Sequence, residues 1–126
     1  MRVVYFLPFI SLFIPVAAAA ESMNAEVFYK RSSALMAKGP MALFSRGEIK
    51  LLMGEVQNAG KAVRAKRLAD VAAGKPPLSC PPQGKQSMDS NEFMKRLGAI
   101  PPAERARIDM TEAMTRITAA RFPCPR

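Results

Sequence analysis

The stretch that decides the fold is Ile49-Lys50-Leu51-Leu52-Met53-Gly54-Glu55-Val56-Gln57-Asn58-Ala59-Gly60-Lys61-Ala62-Val63. Ile49, Leu52, Val56, Ala59 and Val63 recur at three- and four-residue steps, which lays one apolar stripe along a helix. The pattern predicts a helix over roughly Pro40 to Ala73, ended by Gly74. Gly47, Gly54 and Gly60 interrupt it, and each costs about 1 kcal/mol against alanine. They predict a bend near Gly47 or close helix packing, with Gly54 at a close approach. The far end carries Lys61, Arg64, Lys66 and Arg67 within seven residues.

Upstream, a first helix is expected over Ser22 to Lys38, capped by Ser22 and stopped by Gly39-Pro40. Downstream, Gly74 to Pro82 holds four prolines, so it reads as an ordered loop. Asp89, with Glu92 three residues on, starts a short third helix that Gly98 ends. A fourth helix is expected from about Pro102 to Arg121. Its inner stripe is Ala103, Ala106, Met110, Ala113, Met114, Ile117 and Ala120, with Arg105, Arg107, Arg116 and Arg121 outside. No alternating β-branched run follows residue 20. The expected architecture is therefore all-α, a small bundle of about four helices.

The first twenty residues read as a cleaved secretory signal. Arg2 is the n-region, Val3 to Val16 an uncharged apolar run, and Ala17-Ala18-Ala19-Ala20 a small-residue cleavage site. A transmembrane anchor is the rival reading, but the run is short for a span and carries prolines. Cleavage after Ala20 predicts a periplasmic domain, residues 21–126, with no stable membrane anchor. Losing Arg2 takes Lys and Arg from 19 to 18 against 10 acids, a net charge of +8. In an oxidising compartment the only two cysteines, Cys80 and Cys124, are expected to pair. Closing that loop is worth about 4 kcal/mol in the chain-entropy picture.

No histidine is present, which removes the commonest general base and metal ligand. The carboxylates are scattered, and no glycine-rich phosphate loop follows a strand. The expectation is a non-enzyme with no cofactor and no metal. A basic chain binds nucleic acid, anionic lipid or acidic protein. Export argues against nucleic acid and leaves a protein partner or an envelope-facing patch, with a homodimer open. Lys61, Arg64, Lys66 and Arg67 are the candidate partner-facing patch; the alternative is a solvated helix face. The nine methionines read first as core filling and second as an adaptable binding surface.

Several features fall in a familiar order. Gly54, Val56 and Ala59 stand in a G-x-V-x-x-A spacing. Cys80-Pro81-Pro82, a short capped helix, an alanine-rich helix and Phe122-Pro123-Cys124 follow. Over roughly residues 47–124 the chain resembles the Rap/Tai family of type VI secretion immunity proteins. Residues 29–49 lack the family's second cysteine pair, and Leu51 and Leu52 stand where it has an aromatic residue. The resemblance implies a periplasmic helical protein that neutralises a peptidoglycan amidase by occluding its active site. The rival expectations are a chaperone-like or structural helical protein, and an envelope protein with another partner.

Overall fold

The computed structural model describes residues 21–126, and the expected signal over residues 1–20 lies outside them. The described residues are 67% helical, and no strand occurs among them. The helices are α1 (Ala25–Ala37), α2 (Arg46–Ala72), α3 (Ser90–Gly98), α4 (Pro102–Arg105) and α5 (Met110–Arg121), with a 3-10 helix (Gly39–Phe44) between the first two. None of the described helices is long and apolar enough to cross a membrane.

Asn24, not Ser22, caps α1. Its side-chain oxygen accepts from the backbone N–H of Glu26 at 3.0 Å and Val27 at 3.1 Å. Both residue types suit the position, but Ser22 is used elsewhere: its hydroxyl accepts from the Thr111 N–H at 3.2 Å. The long helix begins at Arg46 rather than Pro40. Gly39, at φ 55°, turns the chain into a left-handed conformation that proline-led 3-10 structure follows. The break thus falls beside the bend expected near Gly47. At its other end α2 closes as expected. Gly74 sits at φ 72°, its N–H meets the Val71 carbonyl at 3.1 Å, and the Lys75 N–H meets the Asp70 carbonyl at 2.8 Å. These are the paired bonds of a Schellman cap.

α3 starts where expected, with the Asp89 carboxylate accepting from the Glu92 N–H at 2.8 Å. The single fourth helix does not hold. It breaks into α4 and α5, and Asp109 caps α5 by accepting from the Glu112 N–H at 2.8 Å. Three of the seven stripe positions, Met110, Ala113 and Ile117, are buried; Ala103, Ala106 and Ala120 are exposed. Arg105, expected outside, is only 4% exposed.

The core gathers Phe28 from α1, Leu52 and Ala59 from α2, Phe93 and Leu97 from α3, and Met110 and Ile117 from α5. Phe28 and Phe93 meet edge to face at 6.0 Å between centroids. α2 packs mainly along α5. The starts of α1 and α5 are stitched by backbone bonds, Ala25 N–H to Ile108 at 2.9 Å and Met110 N–H to Met23 at 2.8 Å. Cys80 and Cys124 form the expected disulfide, and the Cys80 N–H donates to the Phe122 carbonyl at 2.8 Å. This fastens the proline-rich loop to the end of α5.

Gly54 does not mark a close approach. A Cβ there would meet nothing within 4 Å. The close glycine is Gly98, where an added Cβ would lie 3.2 Å from the Tyr29 hydroxyl.

Candidate functional site

α2 packs mainly along α5, and beside it α1 and the loop before α3 line a groove of about 1160 Å³. Its α2 wall runs from Ile49 to Leu68. Phe28 and Leu35 of α1, Pro81 to Gln86 of the tethered loop, and Met94 of α3 face it. Phe28, Leu52 and Phe93, all buried core residues, form part of its floor. At the lips Met36, Met53 and Leu68 are 46%, 50% and 55% exposed. Three large apolar side chains half in water along one trough make a surface that a partner can cover with gain.

The charges of the lining are all of one sign. Lys61, Arg64, Arg67, Lys85 and Arg121 line the groove, and no Asp or Glu does. Among the described residues Lys61, Arg64, Arg67 and Lys85 make no salt bridge, whereas Arg121 lies 3.7 Å from Glu92 and over the Phe122 ring. The four residues of the sequence-derived patch do not act together. Lys61 and Arg64 lie three apart, on one face of α2 with Leu68. Arg67 reaches the groove at its edge. Lys66 points to the other side, bonded to Asp70 at 2.8 Å beside Leu78 and Ser79. Cys80 and Cys124 contribute indirectly, because their bond fixes the loop that forms the facing wall.

At the apolar end, α1 and α2 are joined by a bidentate pair, Arg31 Nε and Nη2 to Glu48 at 2.7 and 2.6 Å. The hydrogen bonds from the Arg31 guanidinium hold the Glu48 carboxyl below its usual range and raise the arginine above its own. Beyond that pair the 3-10 helix carries a second apolar surface: Met41, Leu43 and Phe44 are 63%, 71% and 84% exposed.

Sequence reasoning missed the groove itself, and it missed Arg105. That side chain bonds Glu26 at 2.6 Å, the Ile100 carbonyl at 2.6 Å and the Gly98 carbonyl at 3.1 Å, and stacks on Tyr29 at 4.0 Å. It is a structural clamp under α1, α3 and α4, far from open surface. Among the described residues no group of three His, Cys, Asp or Glu side chains is placed to hold a metal. The groove's chemistry is that of contact: an apolar floor, flexible thioethers and unpaired cations. No protein-family model matches the chain, and no curated protein or solved structure matches it.

Proposed function

We propose that this chain is an exported periplasmic binding protein, an immunity protein that neutralises a type VI secretion peptidoglycan amidase by stoichiometric contact. The observation that carries the binding role is the open apolar groove edged by cations without counter-charges. Leaving such a surface in water gains the fold nothing, whereas a partner covering it gains apolar burial and charge pairing together. A disulfide supports an oxidising compartment. The amidase as target rests on the resemblance carried by Cys80-Pro81-Pro82 and Phe122-Pro123-Cys124.

One observation favours a second reading, a chaperone-like binder of many clients. Five of the nine methionines, Met36, Met53, Met88, Met94 and Met114, line the groove. Such floors repack around different ligands.

Co-expression separates the two. The full chain with its leader should protect cells from a periplasmic cell-wall amidase encoded beside it, and the leaderless chain should not. A one-to-one complex with that amidase supports immunity. Slowed aggregation of many unrelated periplasmic proteins, with no protection from any amidase, replaces it with the chaperone-like role.

A further inference from the structure

We infer, building on the binding role proposed above, that the groove seats an acidic amphipathic helix of the partner protein. The apolar face of that helix lies on the methionine-lined floor, and its carboxylates reach Lys61, Arg64, Arg67 and Lys85.

Shape is the first argument. The α2 wall from Ile49 to Leu68 spans about 30 Å at 1.5 Å per residue, the length of a helix of five to six turns. A long apolar trough open to solvent is matched by anchors at i, i+3, i+4 and i+7 on one helix face. The floor is the second. Methionine side chains are unbranched and soft, so they fit a ridge of leucine-like anchors without a rigid pocket for each.

Charge selects the helix. The lining holds five cations and no carboxylate, so a basic helix is repelled and an acidic one is drawn in. The cations are also unevenly placed. Leu35, Met36, Ile49 and Met53 make one end apolar, while Lys61, Arg64 and Arg67 gather toward the other end of the α2 wall. The bound helix therefore concentrates its acids toward one end. If that end is its C-terminus, the acids' contacts with the cations must outweigh their unfavourable interaction with the helix's own dipole; if it is the N-terminus, the dipole favours them.

Other occupants match less well. A second copy brings a net charge of +8 over residues 21–126 alone, and its exposed 3-10 helix is flanked by Lys38 and Arg46. The segment before Ala20 carries one charge, Arg2, of the wrong sign. A fatty acid offers a single carboxylate to four unpaired cations.

The probe is a synthetic peptide of about 18 residues, five turns. It carries leucine at i, i+3, i+4 and i+7 and glutamate on the other face, enriched toward its N-terminus. A control has lysine for every glutamate. Calorimetry with the purified, disulfide-bonded protein should show one-to-one binding of the acidic peptide and binding at least about tenfold weaker for the basic one. The double variant Arg64→Glu, Arg67→Glu should raise Kd about tenfold or more, chiefly by slowing association, with the gap narrowing as salt rises. Lys66→Glu, on the other side of α2, should leave Kd within about twofold. Circular dichroism checks that each variant keeps the helical fold.

Equal binding of both peptides would overturn the inference, leaving only unspecific apolar adhesion. So would equal damage from Lys66→Glu and from the double variant. Palmitate or phosphatidylglycerol vesicles that bind in place of the peptide, or a dimer that buries the groove, would overturn it too. If groove variants still protect cells from an amidase fully, the helix seat is wrong while the immunity role stands. Peptide binding without protection from any amidase keeps the seat and removes the amidase.

Discussion

Arginine does opposite things at the two ends of this molecule. Arg105 is 4% exposed, clamped to Glu26 and to the Gly98 and Ile100 carbonyls, with its guanidinium 4.0 Å from the centre of the Tyr29 ring. Arg64 is exposed on the groove lip, and no salt bridge engages it among the described residues. A buried cation is tolerable only when its donors are matched, so the Arg105 region is specified from within. A cation on an apolar lip that the fold leaves unmatched is available to something outside. Charge alone therefore does not tell the two regions apart; whether the fold itself matches the charge does.

The largest effect should come from breaking the closed end. Arg105→Ala strips the partner from Glu26 and opens space under Tyr29, and should cost about 3–5 kcal/mol in urea unfolding. A loss below about 1 kcal/mol would mean that the cluster is a surface feature. Cys124→Ala comes next, at about 2–5 kcal/mol for removing a native disulfide from a small domain. It touches both regions, because the freed loop is also a wall of the groove. Peptide or partner binding should weaken along with stability. If binding is unchanged, the loop is not part of the site.

Gly54→Ala should go the other way. A Cβ at this position would meet nothing within 4 Å, so the substitution only improves helix propensity, by about 1 kcal/mol. A destabilising result would restore the close approach that the sequence suggested. The smallest effect is acid sensitivity at the groove's apolar end. Because Arg31 lowers the folded Glu48 carboxyl, the pair stabilises the fold above the ordinary glutamate value of about 4.3. That contribution is lost as pH falls through the lower folded value. Comparing the acid titration of wild type with Glu48→Gln checks it; identical pH dependence would show that the tie contributes nothing.

Most of the closed scaffold was legible in the sequence. The α2 stripe, its Gly74 stop, the Asp89 cap and the cysteine pair all follow from local rules that the structure obeys. The break before α5 was equally written: Asp109 with Glu112 repeats the Asp89 and Glu92 spacing that marked α3. It was masked by alanines that continue a helical stripe through Ala103 and Ala106. Once the helix is taken as continuous, Arg105 falls on the outer face, and its burial becomes invisible. The groove was not legible for a different reason. Whether an apolar stripe is covered depends on how far α1 stands from α2, which no local spacing encodes. The basic cluster gave a partial signal, but only helix phase separates Lys66 from Lys61 and Arg64.

We propose that a partner covers the groove and not the other exposed apolar surface, that of the 3-10 helix. Methionine oxidation footprinting of the protein, free and in complex with a protein that co-purifies with it, shows which surface is covered. In the free protein Met36, Met53 and Met41 are 46%, 50% and 63% exposed, so all three should oxidise, while Met110 at 0% should not. Binding should protect Met36 and Met53 and leave Met41 reactive. Protection of Met41 with Met36 and Met53 still oxidising would place the contact on the 3-10 helix and contradict the account.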